Sequence, residues 1–234
     1  GIADVGLCAI ASASPLLEVL DVSFCDKVTD DGLSPVAKHC PELRSLRLCD
    51  TLNVTDASIS AIGMRCPRLS HLDVSGTRGN ITDASIRVVA EHCPELRHIT
   101  VEGTSGGVTD AAVGLIVQRC PLLEHLDVSF TYGAVTDASL ARVSQLCPRL
   151  RYLNVAGTRG EVTDATVVPL ADCLHLEELD VSHTSGQVTD ETLKHVVARC
   201  PSLREIHIRG LGGGAADTLV VTLKLIRPGI VVYK

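Results

Sequence analysis

Residues 81–108, ITDASIRVVAEHCPELRHITVEGTSGGV, contain one complete structural unit. Thr82-Asp83 stands before an apolar-periodic run and reads as a helix start. The Thr hydroxyl can accept an orphan backbone N–H, and the Asp charge complements the positive end of the helix dipole. Ile86, Val89, Ala90 and Cys93 then fall at helical spacing on one face. Pro94 cannot continue the hydrogen-bond ladder and ends the helix. From His98 the order His98-Ile99-Thr100-Val101-Glu102 alternates as a strand with one buried face. A unit this small cannot bury that face alone, so neighbours must stack on it.

The neighbours are present along the chain. Thr-Asp recurs with Asp30, Asp56, Asp83, Asp110, Asp137, Asp164 and Asp190 in register, and Asp4 and Asp217 extend the series in degenerate form. From Asp4 to Asp217 is 213 residues in eight steps, about 26.6 per unit. Cys-Pro follows most of these Asp by ten residues, at Cys40, Cys66, Cys93, Cys120, Cys147 and Cys200, and Leu-x-x-Leu-x-Leu/Val comes next. A Gly lengthens the turn after the strand at Gly79, Gly106, Gly133 and Gly160. Gly186 does the same in a unit whose helix is one residue shorter, between Asp164 and Cys173.

Composition agrees with thin repeated layers. Of 234 residues 45% are apolar and 21% charged, the balance of a soluble globular chain, yet there are only 3 Tyr, 2 Phe and no Trp. The core must therefore be Leu, Val, Ile, Ala and Cys. A formal charge of −7, from 21 basic and 28 acidic residues, opposes a phosphate backbone, so no nucleic-acid partner is expected. The longest apolar stretches, such as 167–171, fall far short of the roughly 18 residues a span requires, so no membrane partner is expected either. Seven cysteines (Cys40, Cys66, Cys93, Cys120, Cys147, Cys173, Cys200) recur once per unit as apolar fillers. Adjacent helices would hold them about 8 to 10 Å apart, beyond the roughly 7 Å limit of a disulfide. Reduced thiols in this number point to the cytoplasm or nucleus. Cys8, Cys25 and Cys49 lie outside the ladder, and Cys49 is expected to be exposed.

The motif Leu43-x-x-Leu46-x-Leu48-x-x-Thr51 followed by Val54-Thr55-Asp56, with Cys-Pro at fixed phase, resembles the cysteine-containing leucine-rich repeats of F-box proteins. Thr51, Thr77, Thr104, Thr131, Thr158 and Thr184 stand where many such repeats carry Asn or Cys, and only Cys25 keeps the sulfur there. The resemblance implies an α/β leucine-rich repeat solenoid, curved and right-handed, with parallel strands on the concave face and helices on the convex face. One domain over 1–234 is expected, of about nine repeats, N-terminally truncated and closed by a strand near 230–234. The resemblance further implies a protein-interaction module, the substrate-recognition region of an F-box-type ubiquitin ligase receptor, reaching the ligase adaptor only through an F-box that would precede Gly1. A non-ligase scaffold or regulatory protein of cilia, cytoskeleton or signalling complexes is the alternative.

No catalytic residue, cofactor or metal is expected. His125, Asp127 and Ser129, like His71, Asp73 and Ser75, share a strand face, but alternate strand residues stand about 6.6 to 6.8 Å apart, too far for a catalytic relay. Gly210-Leu211-Gly212-Gly213-Gly214-Ala215 fits a dinucleotide fingerprint, yet it lies in phase with the other strand-to-helix turns and lacks the distal acid.

The outward strand positions are the candidate surface. Seven are acidic (Asp21, Asp73, Glu102, Asp127, Glu178, Asp180, Glu205) and two firmly basic (Arg47, Arg209). A row of His71, His98, His125 and Tyr152 runs between them, its rings about 5 Å apart from strand to strand. His71, Asp73, His98, Glu102, His125, Asp127, Tyr152, Glu178 and Asp180 are thus the expected partner-binding residues, with Arg78, Tyr132 and Arg159 on the rim. The field favours a cationic protein or peptide. Asp73 and Asp127 are expected to tolerate charge reversal, and binding to weaken as pH falls through about 6.5, where imidazoles gain charge.

Overall fold

The computed structural model describes residues 2–211 and 216–234. It contains nine three-residue strands: β1 Val19–Asp21, β2 Ser45–Arg47, β3 His71–Asp73, β4 His98–Thr100, β5 His125–Asp127, β6 Tyr152–Asn154, β7 Glu178–Asp180, β8 Glu205–His207 and β9 Val231–Tyr233. They form a single sheet in chain order. Every neighbouring pair is parallel, and the repeat phase is kept throughout, so equivalent residues form continuous columns. The middle residue of each strand from β1 to β8 is buried, and no aromatic ring joins the core. Phe24, Phe130, Tyr132 and Tyr233 are exposed and Tyr152 is half-buried.

The helices behind the sheet are α1 Asp4–Ala13, α2 Asp30–His39, α3 Asp56–Arg65, α4 Asp83–His92, α5 Asp110–Arg119, the pair α6 Asp137–Leu140 and α7 Val143–Leu146, α8 Asp164–Val167, α9 Asp190–Arg199 and α10 Ala216–Ile226. After α8 the chain continues as a 3-10 helix over Val168–Asp172, with Pro169 in its first turn. A 3-10 helix rises about 2.0 Å per residue against 1.5 Å for an α-helix. That stretch compensates for the residue this unit lacks.

The expected Thr caps form: Thr55, Thr82, Thr109, Thr136 and Thr163 each accept the N–H two residues on, at 3.0 to 3.2 Å. The Asp beside each cap does more than complement a dipole. Asp83 accepts Thr109 N–H at 2.8 Å and the Thr109 hydroxyl at 2.7 Å, and the same fork joins Asp56 to Thr82 and Asp137 to Thr163. Each unit thereby anchors the helix start of the next. Burial would raise the Asp30 and Asp137 carboxyls, but hydrogen bonds from Ser58 and Thr55, and from Thr163 and Thr166, outweigh it and lower both.

The Thr that replaces Asn or Cys donates within its own turn, as Thr77 Oγ1 does to Val74 O at 2.9 Å; Thr51 reaches the preceding unit instead, at Val22 O, 3.0 Å. All ten cysteines are free thiols and the seven of the ladder are buried. The helices before the ladder cysteines end at the Cys, whose ψ leaves the helical region, about 70° at Cys66 and about 100° at Cys173 and Cys200. The Cys66 and Cys200 thiols donate to the carbonyls of the preceding ladder cysteines, at 3.4 and 3.1 Å. Cys49 departs from expectation: it is half-buried, like Cys8 and Cys25, because its side chain sits among Asp50, Asp73, Ser75 and Glu102.

Candidate functional site

The face of the sheet that no helix covers is lined by the first and third residues of every strand. Register puts His71 beside His98, His98 beside His125 and His125 beside Tyr152. Their ring centroids stand 5.0, 5.7 and 3.9 Å apart, and His125 stacks on Tyr152 with the two planes within 3° of parallel. Stacking shelters these rings from water. Burial, then the neighbouring His98, lowers the imidazole of His71; burial lowers that of His98; and His125, also by burial first, is brought from 6.5 to about 4. The row is a neutral π surface at pH 7, and the expected titration near 6.5 is corrected to a more acid range.

Asp127 also departs from expectation. It is 7% exposed, not solvated. Its Oδ1 accepts Ser129 N–H at 2.9 Å and the Ser129 hydroxyl at 2.6 Å, while Asn154 donates to Oδ2 at 3.0 Å. Burial raises its carboxyl. Half-buried Asp73 makes the same turn with Ser75, at 2.9 and 2.6 Å. The strand ends at the Asp, so the Ser turns back into contact and the expected spacing fails for the Asp–Ser pair, while His125 and Asp127 remain alternate residues of β5. These carboxylates hold the turn, so reversing their charge would disturb the fold.

Glu102 and Glu178 are half-buried, and both are raised by burial first; nearby Asp127 adds to the shift at Glu102 and Glu205 to that at Glu178. Asp180 accepts Ser182 N–H at 2.8 Å. At the rim, Arg78, Ser105, Tyr132, Arg159 and Ser185 are all left-handed, with φ between 52° and 57°. Arg78 is followed by Gly79 at φ 92°, a value side chains avoid, which explains why the longer turn needs Gly there. The Arg159 guanidinium lies 4.6 Å over the Tyr132 ring.

Three features were not foreseen. Phe130 is left-handed and packs over Gly157, where a Cβ would come within 2.5 Å of its ring. Tyr233 stacks on His207, 4.3 Å between centroids. Together with Asn154, Asp180, His183 and Arg209 these rings line a hollow of about 360 Å³. The strand alternation puts His207 on the open face; Tyr233 reaches it only because β9 pairs with β8. The glycine-rich fingerprint runs into residues outside those described.

A family model described as Leucine Rich repeat matches residues 13–37, which span the end of α1, β1, the turn and most of α2. Over those residues the chain matches a leucine-rich repeat, and its nine parallel strands alternating with helices have the architecture of a leucine-rich repeat solenoid. No curated protein sequence matches it. Among solved structures, the chain is similar to one described as "Crystal structure of Rad7 and Elc1 complex in yeast", at 16% identity and a TM-score of 0.43, covering 99% of this chain and 83% of that one. Among the described residues no helix of the repeats is long and apolar enough to cross a membrane.

Proposed function

We propose that the leucine-rich repeats form a protein-recognition module whose open face receives a cationic peptide segment of its partner. The observation that carries the reading is the uncharged His71–His98–His125–Tyr152 row with Glu102, Glu178 and Asp180 beside it. A π surface next to carboxylates suits a guanidinium or ammonium group, which gains from both. Tyr132 and Arg159 extend the contact at the rim, being residue types enriched at binding hot spots.

The finer role we propose is substrate recognition within an F-box-type ubiquitin ligase receptor, which rests on the resemblance of the Cys-Pro and Thr-Asp repeat. The test is recovery of a partner from cells with the isolated repeats, followed by comparison of its affinity for open-face and helix-side variants. The ligase role requires, in addition, that the full-length protein co-purify with the ligase adaptor and that partner turnover depend on it. Recovery of the partner without the adaptor would leave the recognition module and overturn the ligase role.

A further inference from the structure

Glu178 of β7 and Glu205 of β8 are register partners, and His207 follows Glu205 on the same face of its strand. One ligand atom of each lies within 4.8 Å of the others. Nε2 of His207 is shut off from solvent and has no hydrogen-bond partner among the described residues. Glu178 Oε1 is 3.1 Å away, close enough for an ion pair but out of line for a hydrogen bond. A buried ring nitrogen left without an aligned partner costs free energy unless something occupies the space in front of it.

The surroundings orient these groups. Tyr233 stacks on the His207 ring, its plane tilted 18° from the imidazole. Contacts of this kind fix the geometry of metal ligands. Asp180, in register with His207, lines the same hollow. Two carboxylates supply the negative charge a divalent cation neutralises, and the imidazole supplies a nitrogen ligand. The geometry points to a binding site for a zinc-type divalent ion formed by Glu178, Glu205 and His207, with one coordination position left open toward the hollow. Zinc takes nitrogen and carboxylate oxygen at about 2.0 to 2.2 Å, so its ligands stand about 3.4 Å apart; rotation of the two Glu side chains closes the present spacing. The imidazole selects against magnesium and calcium, which prefer oxygen ligands.

The site is tested on the chelator-stripped chain by competition for zinc against a chromophoric chelator, with thermal unfolding as a second readout. One equivalent should bind and raise the unfolding midpoint. Glu178→Gln and His207→Gln should each weaken binding about tenfold or more and abolish the midpoint shift, while His71→Gln and Cys49→Ser, which alter other potential ligands, should leave both intact. Excess magnesium should not displace zinc. If His207→Gln fails to fold, Glu178→Gln, which changes charge and not volume, decides the matter. Failure of the wild type to bind, or unchanged affinity in Glu178→Gln, overturns the site.

Discussion

Asp110 and Thr136 lie 26 residues apart, and the Asp110 carboxylate accepts both the backbone N–H of Thr136, at 2.9 Å, and its hydroxyl, at 2.6 Å. The Ser139 hydroxyl adds a third bond at 2.5 Å. One side chain thus satisfies the start of a helix it does not belong to. Asp110→Ala should destabilise the chain by about 2 to 3 kcal/mol, since hydrogen bonds to charged groups contribute about 1.5 to 3 kcal/mol. Asp110→Asn, which keeps one acceptor, should cost less. Urea unfolding of the two variants measures the difference; equal stability of Asp110→Ala and wild type would deny the lateral anchor.

The buried thiols give a second prediction. Desolvation pushes Cys93, Cys120, Cys147 and Cys173 up to about 12, so the reactive thiolate is scarce at neutral pH. Under native conditions these four should resist alkylation while half-buried Cys8, Cys25 and Cys49 react first, and all ten should react in denaturant. Cys120→Ser should cost about 1 to 3 kcal/mol by burying a hydroxyl without an assured partner, and Cys120→Ala should cost less. Rapid native labelling of Cys120 would contradict its place in the core.

His125 makes stability depend on pH. Its imidazole titrates at about 4 in the fold against an ordinary 6.5, so between these values the unfolded chain binds the extra proton. Its contribution is therefore complete above 6.5 and declines as pH falls toward 4. The neighbours facing it, His98 and His71, are lowered also, whereas Asp127 and Glu102 are raised and respond in the opposite sense. Comparison with His125→Phe isolates the single group. Between pH 7 and 5 the wild type should lose on the order of 1 kcal/mol more than the variant; identical pH profiles in urea melts would count against the buried neutral imidazole.

On the open face, Glu102→Lys and Tyr152→Ala should each weaken partner binding about tenfold or more, whereas Glu91→Lys, on the exposed side of α4, should not. Salt should weaken the complex. Acid should weaken it too, because Glu102 and Glu178, both raised by burial, lose charge sooner than ordinary carboxylates, and the imidazoles gain positive charge as pH falls further. Loss of binding in Glu91→Lys alone would move the interface to the helices.

The repeat was legible because its signals are local: Thr-Asp opens each helix, Cys-Pro closes it, and alternation places Leu46 or Ile99 inward. Facts that depend on the neighbouring unit were not. Asp83 looked like a dipole partner for α4, but its oxygens face Thr109 of the next unit. Asp127 occupies an outward strand position and is nonetheless buried, since Ser129 folds back over it and Asn154 closes from the next strand. The rings of Tyr233 and His207 meet across strands whose pairing only the assembled sheet creates.

The carboxylate forks run one way along the chain. In every pair the acceptor comes earlier, as Asp4 before Thr29, Asp56 before Thr82 and Asp164 before Thr189, by 25 or 26 residues. A nascent chain leaving the ribosome therefore presents each anchor before the helix that needs it. Stacking can advance unit by unit during synthesis, each newly emerged Thr meeting a receptor already in place. Fragments cut from the C-terminal side keep the carboxylate acceptor of every Thr cap from Thr29 onward that they contain. Fragments cut from the N-terminal side expose one orphaned cap. Truncation from the two ends is therefore unequal, an asymmetry that a sheet of nine equivalent strands does not suggest.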